Sequence, residues 1–88
     1  MNTENKRRDR LYIMAEILKI TKEGSLKTQI MYRANLSFAQ LNEYLSFLKE
    51  MNLLQVLIES KKNIYKITTK GEKYLEKYKE ITELLARN

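Results

Sequence analysis

Ser37, Phe38, Gln40 and Asn42 open an amphipathic stretch of this 88-residue chain. These residue types can read nucleobase edges. Glutamine and asparagine amides can bond adenine with two hydrogen bonds. A serine hydroxyl can take a base or a phosphate, and an aromatic ring can touch a thymine methyl. Just upstream, Lys27, Thr28, Tyr32 and Arg33 supply cations and hydroxyls of the kind that hold phosphate oxygens. Downstream, Lys61 and Lys62 sit between two strand-like runs. Arg8 belongs to an N-terminal basic cluster with Lys6, Arg7 and Arg10. Any one of these is most simply a solvated side chain. Basic groups at all three places where a duplex backbone would be met favour a joint reading as phosphate contacts.

Two of the candidates have a competing use. Ser37 is more simply a helix cap than a base reader, and Gln40 stands where it completes a capping box. The stretch from 37 to 51 contains a single basic residue, Lys49. That disfavours guanine readout and fits an A·T preference or sequence-neutral binding. The whole chain carries 17 Lys and Arg against 11 Asp and Glu, a formal charge of +6. Such an excess attracts polyanions, chiefly nucleic acid. Stacking of single-stranded bases is disfavoured, because Tyr12, Tyr44, Tyr65, Tyr74 and Tyr78 fall mostly at core or seam spacing. Phe47 is the exception, an aromatic on the wet side of its helix.

Other chemistries lack their residues. There is no Cys and no His, so disulfides, thiolate chemistry, the usual zinc sites and histidine acid–base catalysis are excluded. The carboxylates show no second acid at fixed spacing, and there is no glycine-rich loop. No enzyme, metal, cofactor or small-molecule ligand is expected. No apolar run approaches the roughly 20 residues of a membrane span, and the N-terminus does not read as a secretory signal. The expected setting is cytoplasmic and nucleoid-associated.

The elements that would position these groups follow from periodicity and caps. A first helix is expected from Arg8 or Asp9, with Leu11, Met14, Ile17, Leu18 and Thr21 on its apolar face, ended by Gly24. Ser25 is expected to cap a short second helix reaching Arg33, anchored by Ile30 and Met31. Ala34-Asn35-Leu36 is the turn, with Asn35 suited to the left-handed conformation. A third helix covers 37–51, its inner face Leu41, Tyr44, Leu45, Leu48 and Met51, with Asn52 as C-cap. Residues 53–68 form a short β-hairpin with Lys61-Lys62-Asn63 at its tip.

Thr68 or Thr69 then caps a last helix reaching Ala86. Tyr74, Tyr78, Ile81 and Leu85 recur at steps of four, three and four, with Leu75 and Leu84 on either side. Lys79–Glu83 and Glu83–Arg87 are spaced as ion pairs. The seam is longer than one small domain needs, so a homodimer through Tyr74, Tyr78, Ile81, Leu84 and Leu85 is expected. The organisation is a flexible basic segment at 1–7, a DNA-binding domain at 8–68 and a dimerisation helix at 69–88. The fold class is mostly α with a short β-hairpin.

The string TQIMYRANLSFAQLNEYLSFLKEMNLL, followed by IYKITTKGEKYLEKYKEI, resembles a set of small archaeal winged helix-turn-helix proteins that bind DNA as transcriptional regulators or chromatin-associated proteins. Two elements carry the resemblance: T-x-I-M-Y-x-A-N-L-S-aromatic at Thr28 to Phe38, and Y-x-I-T-x-K-G at Tyr65 to Gly71. It covers about residues 10 to 86. The resemblance implies a recognition helix at 37–51, a wing at 56–67 and a C-terminal helix at 69–86 that pairs antiparallel with its twin. The chain departs from the pattern at Glu50-Met51-Asn52, where a glycine cap is usual. Its last helix is shorter than in the longest members.

The expected function is therefore binding of double-stranded DNA in transcription regulation or chromosome organisation. Two rivals stand beside it. One is a winged helix serving only as a protein-interaction module, through Phe47 and the basic hairpin; the other is an RNA-binding protein.

Overall fold

The computed structural model describes residues 9–86. Arg8, with Lys6 and Arg7, lies outside them, as do the expected flexible segment and Arg87. Asp9 opens the first helix, α1 (Arg10–Ile20), by accepting the Tyr12 amide at 2.8 Å. Ile13, Met14, Ala15, Ile17 and Leu18 are its buried face. The expected end at Gly24 is too late. Thr21 stops the helix instead: its buried hydroxyl donates back to the Ile17 and Leu18 carbonyls, at 3.0 and 3.1 Å. Gly24 sits in the following turn at φ +95, where a side chain would also press on Ile64 Cγ2 at 2.9 Å.

Ser25 does not cap the second helix. It pairs with Tyr65 as a one-residue strand, its amide donating to the Tyr65 carbonyl at 2.9 Å and its carbonyl accepting at 2.8 Å. Its hydroxyl donates to the Ile20 carbonyl. Leu26 flanks the second helix, α2 (Lys27–Ala34), and Gln29 Oε1 accepts its amide at 2.8 Å. Ile30 is the fully buried anchor of α2. Asn35 ends it in the left-handed region at φ 57, as expected.

Ser37 and Gln40 form the expected capping box at the start of the third helix, α3 (Phe38–Glu50). Leu41, Leu45 and Leu48 enter the core, where they meet Ile17, Leu18 and Ile30. Leu11 and Met51 stay exposed despite their apolar spacing. Both stand at the outer ends of their helices. Met51 is the C-cap of α3, and Asn52 follows it with φ 62. Here asparagine takes the backbone shape that glycine usually supplies.

The hairpin comprises β1 (Leu54–Glu59) and β2 (Lys62–Ile67), antiparallel, from Leu54 opposite Ile67 to Glu59 opposite Lys62. Its turn is Ser60-Lys61, with φ of 50 and 66. Lys61 thus lies in the turn, but Lys62 and Asn63 lie in β2 rather than at the tip. Two consecutive left-handed residues match the right-handed twist of the strands. Leu54, Tyr65 and Ile67 are buried at the root, while the outer residues stand clear of the body.

Thr68, not Thr69, caps the last helix, α4 (Thr69–Ala86). Its hydroxyl accepts the Gly71 amide at 3.0 Å and donates to the Asn52 carbonyl at 2.6 Å. Lys70 Nζ donates to the Met51 carbonyl at 2.8 Å. The end of α3 and the start of α4 are thereby tied together. Gly71 is buried, and a Cβ on it would collide with the Leu53 carbonyl oxygen. Tyr74 and Leu75 pack against the core, and Tyr74 donates its hydroxyl to the Leu11 carbonyl at 2.9 Å. Burial, then the neighbouring Tyr78, pushes the Tyr74 pKa up to about 12. The expected Lys79–Glu83 pair is absent. Among the described residues the ion pairs are Glu16–Lys19 and Lys77–Glu80, both of the i,i+3 kind. Their side chains are mostly solvated, so they add little stability.

Candidate nucleic-acid interface

The turn at Asn35 sets α2 across the start of α3, and the Ser25–Tyr65 pairing sets the hairpin beside both. Lys27 is where the three meet. Its ammonium lies 4.5 Å from the centre of the Phe38 ring, so the first turns of α2 and α3 are in contact. Behind Phe38, a hollow is lined by Lys27, Asn42, Ser46, Lys49 and Tyr65. A second hollow is lined by Lys27, Thr28, Lys62, Asn63 and Tyr65. They share Lys27 and Tyr65. The result is a shelf of two adjoining hollows, with Leu26 and Leu45 also in the lining and three lysines along it, running from α3 across the start of α2 to the wing.

The side chains predicted to read bases do not share one side of α3. At about 100° per residue, Phe38, Asn42, Ser46 and Lys49 form one stripe beside the shelf. Gln40 lies two residues from Asn42 and so on the opposite flank. Its Oε1 accepts the Ser37 amide at 3.0 Å, while Ser37 Oγ accepts the Gln40 amide at 3.1 Å. Glutamine needs both its oxygen and its nitrogen to hold adenine bidentately. Here the oxygen is committed to the cap. The outward face of α3 carries Glu43 and Glu50, both exposed. Glu43 opposes a polyanion at the middle of the helix and Glu50 at its last residue, which leaves attraction to the flank.

Thr28 and Tyr32 are exposed one turn apart on α2, and Arg33 is exposed beside them. Lys61 is exposed in the wing turn, beyond the second hollow. Arg10 of the N-terminal cluster stands 5.6 Å from the centre of the Tyr44 ring, on the far side of α3 from Asn42. Lys49 and Ser46 were not singled out from sequence as contacts. Their spacing of seven and four from Asn42 was the available signal. Phe47 lies away from the wing, in a groove with Met14, Met51 and Tyr74.

The predicted seam divides along α4. Tyr74 and Tyr78 are part-buried, with nearly parallel rings 6.2 Å apart. Ile81, Leu84 and Leu85 remain 54%, 69% and 76% exposed. Among the described residues, no group of three or more acidic side chains is placed to hold a metal ion. No helix among them is long and apolar enough to cross a membrane.

Residues 7–86 match the family model described as winged helix-turn-helix. The chain is similar to two uncharacterized proteins of Methanocaldococcus jannaschii. With MJ0290 it shares 38% identity over 80 residues, which is 90% of this chain but 36% of that longer protein. With MJ0287 it shares 33% identity over 90 residues, covering 94% of this chain and 89% of the relative. Among solved structures, Sso10a-2, described as a DNA-binding protein from Sulfolobus solfataricus, aligns with a TM-score of 0.76 at 28% identity. The alignment covers 89% of this chain and 85% of that one.

Proposed function

From a chain that belongs to the winged helix-turn-helix family, we propose a double-stranded DNA-binding protein that acts as a homodimer in transcription regulation or chromosome organisation. The observation that carries this reading is the lysine shelf. Lys27, Lys49 and Lys62 come from three different elements and converge on adjoining hollows. A duplex backbone carries closely spaced phosphates along such a path.

In this reading the start of α3 enters the major groove, with Phe38 and Asn42 against base edges. Lys27, Thr28, Tyr32 and Arg33 hold one strand's phosphates. Lys61 and Lys62 bring the wing to the backbone beyond. Ser37 and Gln40 stiffen the entering turn. Arg8 remains a candidate phosphate contact from the N-terminal side. Glu43 limits how deeply the middle of α3 can sit and Glu50 how deeply its end can, so phosphate contacts supply most of the affinity. Two copies would place two such helices on one face of the duplex, at a spacing set by the dimer. The functional division is then a DNA-binding part at 8–68 and a dimer helix at 69–88.

The similarity to Sso10a-2 supports DNA over an RNA or protein partner. The test is fluorescence anisotropy with duplex DNA and duplex RNA of one sequence across a salt series. The expected result is tighter binding to DNA, with log affinity falling against log salt by about 0.9 per phosphate neutralised. Equal or tighter binding to RNA, or no binding to either at low salt, overturns the proposal.

A further inference from the structure

Among the described residues of the hairpin, one large apolar side chain stands in solvent. Ile58 is 76% exposed, whereas Val56, Leu57 and Ile64 are part-buried. It lies two residues before the Ser60-Lys61 turn and opposite Asn63, so its cross-strand neighbour offers no apolar contact. Strand propensity alone would be met as well by threonine, which is at home in water. Alternation along the strands puts Ile58 on the same face as Asn63, Val56 and Tyr65. Asn63 and Tyr65 line the hollow that begins at Lys27 and Thr28, and Tyr65 also lines the one beside Asn42. Ile58 therefore carries the face of the shelf outward, about 7 Å past the Val56–Tyr65 pair at roughly 3.4 Å per residue. Alternation sends Glu59 to the other face, across from Lys62, and keeps that carboxylate off the shelf side. Lys61 and Lys62 are exposed at the same tip. Phosphates account for these two lysines and not for the isoleucine.

We infer that Ile58 enters the minor groove beside the major groove met by α3, and selects A·T pairs there. The inference rests on the DNA-binding reading above and adds a base-reading side chain to a wing so far assigned only to phosphates. The minor groove is about 6 Å wide between its two phosphate walls. Lys61 and Lys62 meet those walls while Ile58 lies between them. The floor presents only acceptors at A·T pairs, but a protruding guanine amino group at G·C pairs. Isoleucine gives that amino group no hydrogen bond and takes the space it needs. At A·T pairs the same side chain packs on sugars and floor, as apolar side chains of minor-groove proteins do. Major and minor grooves on one side of a duplex are half a helical turn apart. The selected A·T pairs therefore fall about five base pairs from those faced by Phe38 and Asn42. Within one hairpin, the lysines supply affinity and Ile58 supplies preference.

Fluorescence anisotropy of the full chain on three duplexes tests this. They share a core selected from a random pool and differ only in the flanking pairs, which are A·T, G·C or inosine·C. Inosine·C keeps the major-groove acceptors of G·C but lacks the amino group, so from the minor groove it resembles A·T. The wild type should bind the A·T and inosine·C duplexes about fivefold more tightly than the G·C duplex, the low end for a single base contact. Ile58→Ala should bring the three affinities together, and Ile58→Val should keep their order. Both variants should hold the wild-type melting temperature, because Ile58 is exposed. They should also hold the salt slope, because no charge is lost. Lys61→Ala with Lys62→Ala should weaken binding to all three and leave the order as it is. An inosine·C duplex bound as weakly as the G·C duplex puts the preference in the major groove and overturns the inference. An order that survives Ile58→Ala, or three duplexes bound equally by the wild type, overturns it too. A wild-type chain that binds none of them at low salt overturns the DNA reading along with it.

Discussion

The Lys27 ammonium rests 4.5 Å from the centre of the Phe38 ring, joining the first turn of α2 to the first turn of α3. A cation on an aromatic face is held without losing its charge, at about 0.5–1 kcal/mol for an exposed pair. Lys27 is thus positioned at the head of the proposed interface while its charge stays available to a phosphate.

Lys27→Ala should weaken binding to all duplexes alike and lower the salt slope by about one. Lys27→Arg should keep the slope. Anisotropy titrations at several salt concentrations check both. A slope unchanged in Lys27→Ala would remove this residue from the phosphate contacts.

Gln40 and Asn42 should separate cleanly. Gln40 spends its side-chain oxygen on the Ser37 amide, so Gln40→Ala should lower stability by up to about 1 kcal/mol and leave sequence preference as it is. Asn42 stands on the shelf side of α3. Asn42→Ala should flatten preference between selected and random duplexes, each bidentate base contact being worth about 1–3 kcal/mol. Selection from a random duplex pool, beside thermal melts, measures both quantities. A changed preference in Gln40→Ala at constant Asn42 would reverse the assignment.

The wing lysines act through the backbone in this scheme. Lys61→Ala with Lys62→Ala should reduce affinity by a similar factor on every duplex, without altering preference. The substitutions lie at the outer end of the hairpin, away from Leu54, Tyr65 and Ile67 at its root. The melting temperature should therefore hold. Unchanged affinity at moderate salt would take the wing out of the interface.

What was legible in the sequence was local. The Ser37–Gln40 box and the left-handed Asn35 depend on residues within one turn, so their types suffice to place them. Ser25 follows a glycine and so has the local look of a cap, while its actual partner, Tyr65, lies forty residues away. The turn at Ser60-Lys61 carries no glycine or asparagine, so the one-position error in the hairpin tip had no local signal to correct it. Leu11 and Met51 obey the apolar period, but a period does not say where a covering element ends. On α3, Phe38, Gln40 and Asn42 are neighbours in sequence but not all neighbours in space. Helical geometry sends Gln40 to the other flank and brings in Ser46 and Lys49.

Gly71 is required by close backbone approach. A Cβ there would collide with the Leu53 carbonyl oxygen and stand 2.6 Å from Ile67 Cγ1. Backbone cannot swing aside as a flexible side chain would. Gly71→Ala should cost about 1–3 kcal/mol despite alanine's better helix propensity, lowering the melting temperature by several degrees. A melt at or above wild type would mean that α4 can shift outward without loss.

Tyr74 supplies the pH test. Burial, then Tyr78 and Asp9, raises its pKa from 10.0 to about 12, while the unfolded chain keeps the ordinary tyrosine value near 10. The folded state therefore holds the phenolic proton more tightly. Its contribution to stability is complete below about pH 10 and is lost as the pH climbs from there through about 12. Tyr78 is shifted in the same direction, again chiefly by burial, and reinforces the loss. Melting curves should be insensitive to this pair between pH 7 and 9 and should fall steeply above 10. Tyr74→Phe removes the titrating group together with its 2.9 Å bond to the Leu11 carbonyl. The variant should be modestly less stable at pH 7 and show a shallower decline above pH 10. Parallel alkaline declines in wild type and Tyr74→Phe would show that Tyr74 gives up its proton equally readily in both states.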